Sequence, residues 1–128
     1  MKQEQEECLF CNIPKERIIS TNEYAYAVRD AFPVTELHTL VIPWRHAEDY
    51  FGLTKEELLA CDALLRSHRE KILKTDLTVK GFNIGMNLGR VAGQSIFHCH
   101  IHLIPRREGD VDTALGGVRQ IIPGKGDY

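Results

Sequence analysis

From Ile96 to Ile104 the chain alternates between two kinds of side chain, and three residues on one side are histidines. Phe97, Cys99, Ile101 and Leu103 fall on one face of an extended segment; Ile96, His98, His100, His102 and Ile104 fall on the other. A row of three polar rings on an otherwise apolar strand is costly to bury unless each ring has a partner. Gly81 to Leu88 repeats the pattern, with Phe82, Ile84, Met86 and Leu88 alternating with Asn83, Gly85 and Asn87. Two adjacent strands of this kind pack their apolar faces on a helix and show a polar pocket floor on the other side. A hydrated strand face that happens to carry histidines would leave the matching polar side of 81–88 without a reason. Three metal ligands in line is a second alternative. Residues two apart on a strand are about 6.6–6.8 Å apart at Cα. A pair can converge on one ion, but three in a row converge poorly, so one histidine on metal and the others in chemistry is the better reading.

The rest of the chain supplies one clear helix and two further strands. Thr54 with Glu57 three residues later forms a capping-box pattern, and Leu58, Cys61, Leu65, His68 and Ile72 then fall on one stripe. A helix is expected from Thr54 to about Thr75, with His68 in the core or at its boundary rather than in catalysis. Tyr24, Tyr26 and Val28 alternate as a strand, Asp30 to Thr35 with Pro33 is a loop, and Leu37 to Ile42 is a strand stopped by Pro43. Gly89 to Gly93 is a loop, and Pro105 is expected to end the histidine strand. The tail from Arg106 to Tyr128 is rich in glycine and proline and reads as a loop or partner-contacting arm. Residues 1–7 are charged and read as a frayed start. The whole, 1–128, reads as a single domain, with 107–128 as its C-terminal tail.

Composition narrows the class. The chain has 128 residues, 43% hydrophobic and 27% charged, ordinary for a soluble globular protein. Sixteen basic and eighteen acidic residues leave a formal charge of −2, which argues against a general nucleic-acid coat. No apolar run approaches the length that crosses a bilayer, and MKQEQEE lacks the apolar segment of a secretory signal. Four cysteines without such a signal read as thiols or metal ligands, in a cytoplasmic protein.

Gln94-Ser95-Ile96-Phe97-His98-Cys99-His100-Ile101-His102-Leu103-Ile104, preceded by Gly93, resembles the signature of the histidine triad (HIT) proteins. His38-Thr39-Leu40-Val41-Ile42-Pro43 resembles an earlier strand of that family, and Asn87 stands where it keeps an Asn or Gln. The likeness runs from about Cys8 to Gly109. It implies a nucleotide hydrolase or transferase acting at an α-phosphate, with His100 as nucleophile. A neutral imidazole suits that role, because an unperturbed pKa of about 6.5 leaves much of it unprotonated near pH 7. Water then resolves the nucleotidyl-histidine, which divides one hard displacement into two easier ones. The nucleophilic nitrogen must be free, so the other ring nitrogen needs a proton acceptor, such as a backbone carbonyl. By the same resemblance His102 and His38 hold phosphate or bridging oxygens and Ser95 donates its hydroxyl. The Gly93-Gln94-Ser95 loop aims N–H groups at developing charge, Asn87 meets the phosphates that are not transferred, and Asp30 takes the ribose hydroxyls. Ser95 and Gln94 as plain loop residues, Asn87 as a backbone partner, Asp30 as a turn former and His38 as a core histidine are the alternatives.

Cys8-x-x-Cys11 offers two thiolates, half of a tetrahedral zinc site. Bacterial HIT proteins complete such a site with a histidine after the Ile-Pro of the earlier strand, matching His46, and with the first triad histidine, matching His98. The resemblance therefore implies a structural zinc held by Cys8, Cys11, His46 and His98; reduced surface thiols beside a free His46 is the alternative. Cys61 and Cys99 read as core.

After the triad, Ile104-Pro105-Arg106-Arg107-Glu108-Gly109-Asp110 resembles the Fhit-like dinucleoside polyphosphate hydrolases more than the phosphoramidase branch. Arg90, Arg106, Arg107 and Arg119 are candidates for charge near a polyphosphate, although solvated surface is the better reading for any one of them. The expected activity is hydrolysis of diadenosine tetraphosphate or a related dinucleotide, with Mg2+ on the substrate phosphates. A phosphoramidase, a phosphorylase, and a zinc-stabilised nucleotide-binding protein without turnover are the alternatives. Pattern and resemblance together imply an α+β fold: about five antiparallel strands, one main helix across one face and a short second helix. The resemblance also implies a homodimer.

Overall fold

The computed structural model describes residues 7–126. The frayed start read for 1–7 lies outside these residues, Glu7 apart, as do the last two residues of the tail. Five strands form one antiparallel sheet: β1 (Ile18–Thr21), β2 (Ala25–Arg29), β3 (Thr39–Pro43), β4 (Val79–Gly85) and β5 (Ile101–Arg107), in the order β1-β2-β3-β5-β4. Among the described residues one main α-helix, α1 (Lys55–Thr75), crosses the sheet, with short 3-10 turns at Lys15–Arg17, Tyr50–Gly52, Arg90–Ala92 and Gly117–Ile121. No helix among the described residues is long and apolar enough to cross a membrane.

The helix starts where its cap predicts. The Thr54 hydroxyl accepts from the Glu57 N–H at 3.1 Å, and the Glu57 carboxylate accepts from the Thr54 N–H at 2.8 Å. Arg45 donates to both oxygens of Glu57 at 2.8 and 2.9 Å and to the Gly52 carbonyl at 2.6 Å. Glu57→Ala removes the cap and strands the Arg45 bonds at once. The expected loss is about 2 kcal/mol, mostly cap, because Arg45 is half-exposed; urea denaturation reads it.

Small residues bring helix and sheet together. Ala25, Ala27, Val41 and Ile101 meet Cys61 and Leu64 on the helix side. Tyr26, Val28, Leu40 and Ile42 point to the opposite side, where Phe10, Ile13 and Ile96 cover them. The central strands are therefore buried on both faces, so β2 reads as a continuous run rather than the alternation expected for 24–28. The segment Ile18–Thr21, β-branched except at Ser20, is a strand that the sequence reading passed over, because it is short and only half-buried.

Two strand boundaries differ from expectation. Ile96–His100 makes no ladder; pairing begins at Ile101 opposite Val41, and Cys99 is tied instead through its N–H to the Ala47 carbonyl at 2.7 Å. Phe97, expected on the apolar face with Cys99, is consequently exposed. Pro105 sits inside β5 rather than ending it. Pairing with β3 stops at Leu103, so no ladder partner needs its missing N–H, and its carbonyl accepts from the Thr35 hydroxyl at 2.6 Å.

His68 is 2% exposed, as its place on the helix stripe implies. Its Nε2 meets the Ser20 hydroxyl at 2.5 Å, and its Nδ1 has no partner among the described residues. Burial, helped by Lys71 and Arg29, pushes its pKa down to about 4. The unfolded chain therefore binds a proton near pH 6.5 that the folded chain refuses until about pH 4. Stability due to this residue is complete above pH 6.5 and is lost as pH falls through that window, by up to about 1.4 kcal/mol per unit. His68→Leu is expected to remove one proton from the pH-slope of unfolding measured by denaturant titration between pH 4.5 and 6.5.

Candidate active site and metal centre

The face of the sheet opposite α1 carries the histidines. The Cys8–Cys11 turn lies against the end of β3 and the approach to β5. There the side-chain donor atoms of Cys8, Cys11, His46 and His98 all lie within 4.8 Å of one another. Cys8 and Cys11 sulfurs stand 3.4 and 3.5 Å from His98 Nδ1, and Cys11 stands 3.2 Å from His46 Nδ1. His98, fully buried, donates its Nε2 proton to the Pro43 carbonyl at 2.8 Å. That bond fixes the tautomer and turns the Nδ1 lone pair toward the sulfurs, the second-sphere arrangement of a metal-bound histidine. Burial pushes the Cys11 thiol up to about 11 and the His98 ring down to about 4. A pair of sulfurs and a pair of neutral ring nitrogens fit tetrahedral zinc.

His100 is placed by the same residue. Its Nδ1 proton goes to the His98 backbone carbonyl at 2.8 Å, so Nε2 keeps its lone pair and faces a cavity of about 290 Å3. The carbonyl acceptor expected for the nucleophile is thus the backbone of a proposed metal ligand. The Phe10 ring packs against His100 with centroids 5.0 Å apart at 64°.

A second cluster joins Asp30, His38 and His102, whose candidate donor atoms also lie within 4.8 Å. Its hydrogen bonds make it a relay rather than a metal site. The Val34 N–H points into His38 Nδ1 at 3.0 Å, so the one proton of this neutral ring sits on Nε2 and cannot make way for a cation. That proton faces His102 Nδ1 at 2.9 Å and the Asp30 carboxylate at 3.4 Å. His102 in turn carries its own proton on Nε2. Burial depresses both rings, His38 against the opposing pull of Asp30, and His102 to about 4.

The cavity is lined by Asp30, Asn87, Ser95, His100 and His102, with Leu9, Phe10, Arg17, Phe32 and Leu40. On β4, Gly85 pairs with His102 and brings no side chain into the space beside it. Ser95 is exposed at the cavity rim, and Asn87 packs beside Gly93. Gly93, at φ 97°, takes the left-handed turn that brings the loop back. Gln94 is placed differently from the substrate contact expected of it. Its side chain is buried, accepts from the Gly89 N–H, and gives both amide protons to the Glu48 and Ile96 carbonyls. It braces the loop, and its amide has no hydrogen left for a phosphate. Arg106 is held by Asp110 and Asn83, and Arg107 by Asp76 and the Glu36 carbonyl. Phe10, Arg17, Phe32 and the Val34 amide are site elements that sequence reasoning missed. Only Phe10, lying between the two cysteines, carried a signal for its position.

The HIT domain model matches residues 12–109. An uncharacterized HIT-like protein of Mycoplasma genitalium is 43% identical over 105 residues, covering 79% of this chain and 74% of its own. An AP-4-A phosphorylase of Mycobacterium tuberculosis is 33% identical over 112 residues, covering 83% of this chain and 55% of that enzyme. The crystal structure of a zinc-bound histidine triad family protein from Mycobacterium smegmatis superposes with a TM-score of 0.74 at 33% identity, over 83% of this chain and 79% of the other.

Proposed function

The chain belongs to the HIT domain family, and on that premise we propose that it hydrolyses diadenosine tetraphosphate or a related dinucleoside polyphosphate through a nucleotidyl-His100 intermediate. One observation carries this reading: the His98 carbonyl holds the Nδ1 proton of His100 and leaves Nε2 free at the cavity. His100 Nε2 attacks the α-phosphorus and the polyphosphate departs; water then attacks the same phosphorus and releases the mononucleotide. The His102 Nε2–H donates to phosphate or bridging oxygen, with His38 fixing its tautomer. Ser95 contacts the leaving group, Asn87 the remaining phosphates and Asp30 the ribose, while Gln94 holds their loop in shape. Mg2+ accompanies the substrate phosphates. Zinc, when bound by Cys8, Cys11, His46 and His98, braces the pocket rather than activating water, because four protein ligands close its coordination. The enzyme works as a homodimer in the cytoplasm. Its affinity is with the Fhit-like group, on the sequence after the triad.

The likeness to a phosphorylase supports a second reading, in which phosphate replaces water. Product chromatography separates the two. Hydrolysis of diadenosine tetraphosphate yields AMP and ATP; phosphorolysis needs inorganic phosphate and yields ADP and ATP. An intact dinucleotide in both buffers, with magnesium present, overturns both readings and leaves the phosphoramidase or binding alone.

A further inference from the structure

Besides the ribose contact proposed for it, the Asp30 carboxylate has two partners within the fold. One oxygen accepts from the Phe32 N–H at 2.8 Å, which anchors the side chain to its own loop, and the other is aimed at the His38–His102 junction. The proton positions at that junction are restrictive. His38 has room for one proton, on Nε2, because the Val34 N–H occupies its other nitrogen. As long as His102 is neutral, its Nδ1 accepts that proton's hydrogen bond. Once His102 becomes an imidazolium, Nδ1 carries a hydrogen too, and two N–H groups meet head-on. His38 cannot relieve this by changing tautomer. Asp30 is the acceptor at hand: its Oδ2 already stands 3.4 Å from His38 Nε2 and lies within 4.8 Å of a ring nitrogen of His102, so the His38 N–H can turn to it.

We infer that Asp30 is a positioning residue for His102: its carboxylate takes up the N–H left without an acceptor when His102 is protonated, and so holds His102 as the acid for leaving groups that must depart with a proton. The inference rests on the nucleotidyl-transfer reading above. In the first half-reaction the His100 Nε2 lone pair forms the N–P bond. The bond from phosphorus to the leaving atom breaks, its electron pair stays on that atom, and the atom takes the Nε2 proton of the His102 imidazolium. In the second half-reaction water forms the new P–O bond and gives a proton back to His102 Nε2, and the P–N electron pair returns to His100. His102, neutral at rest because burial depresses it, takes a proton from solvent onto Nδ1 to enter the cycle, and the second half-reaction returns it as the imidazolium. Burial is the largest influence against charge on His102; His100 from its own segment and His38 beside β3 add to it, and Asp30 from the loop before β3 opposes them.

Asp30→Asn keeps the size of the side chain and an oxygen for the Phe32 N–H. Two substrates share the same adenylyl group: adenosine 5′-phosphoramidate, whose amine must leave protonated, and the p-nitrophenyl ester of AMP, whose phenolate leaves as an anion. The expected result is a kcat for the phosphoramidate that falls about 100-fold further than kcat for the ester, whatever loss the two share through ribose binding. A rise in KM shared by both substrates, with no kcat split, would mean that Asp30 only binds ribose and overturns the inference. Histidine NMR on the substrate-free protein tests the same point without turnover. The midpoint of the His102 titration is expected to fall by about half a unit or more in Asp30→Asn, and an unmoved midpoint refutes the inference. If the unmutated protein turns over neither substrate, the proposed function fails, and the NMR result still decides the role of Asp30.

Discussion

His100→Ala is expected to lower mononucleotide release from diadenosine tetraphosphate by about 10^4-fold or more, the scale on which loss of a covalent nucleophile is felt. Folding should be little affected. The ring is half-buried, and its one hydrogen bond, to the His98 carbonyl, leaves an acceptor already at the cavity edge. Nucleotide binding should also persist, because Asp30, Phe32, Asn87 and His102 line the cavity independently of it. Two measurements are needed together: turnover by chromatography and AMP affinity by calorimetry. Lost turnover with retained affinity identifies a catalyst. Substantial turnover in the variant would remove His100 from the mechanism and direct attention to direct attack by water. An alkaline quench of the unmutated protein with substrate should capture the phosphorus–nitrogen adduct on the peptide containing His100.

Loss of the metal centre should be the largest effect on stability. Chelation, or Cys11→Ser, is expected to release one zinc ion per chain and to lower the thermal midpoint by about 10 °C or more, because metal-binding free energy appears directly as folding free energy. The Cys8–Cys11 turn is the natural place for this loss. Phe10, between the cysteines, is one wall of the core on the site side of the sheet, and the Tyr26 hydroxyl donates to its carbonyl at 2.6 Å. Without the ion, this turn is held to the strands beneath, among the described residues, by Phe10, the Tyr26 hydroxyl and the contacts of Cys8 and Cys11 with His98 and His46 alone. Activity should fall as well, through His98, whose ring belongs to the cluster and whose carbonyl orients His100. A protein that binds no zinc, or whose midpoint is indifferent to chelator, refutes the metal centre while leaving the triad chemistry intact.

The legible parts of this protein were those encoded over short distances. The capping box at Thr54 and Glu57 and the stripe ending at Ile72 located α1 to within a residue of its start. The alternation through Cys99, Ile101 and Leu103 identified a buried face. Cross-strand pairing was less legible. The ladder of β5 begins only at Ile101 and continues through Pro105, because the neighbour that would need a proline N–H has already ended. A proline rule applied along the chain has no access to where the adjacent strand stops. Gln94 shows a similar limit, since its three bonds to backbone depend on Glu48 and Gly89, neither of which a local motif contains.

Sequence alone determined the three histidines at period two, the Cys8-x-x-Cys11 pair and the glycine-containing loop before the triad, because each is a matter of residue type at a short interval; His46 and His98 as the completing ligands came from the resemblance to the family. Tertiary structure decided which nitrogen of each histidine carries its proton. His98 is set by the Pro43 carbonyl, His100 by the His98 carbonyl, and His38 by the Val34 amide, which in turn sets His102. Imidazole has two nearly equivalent tautomers, and only the hydrogen-bonding groups placed around it by the fold choose between them. That choice separates a nucleophile from a donor and a metal ligand from a relay in a site built largely of one residue type.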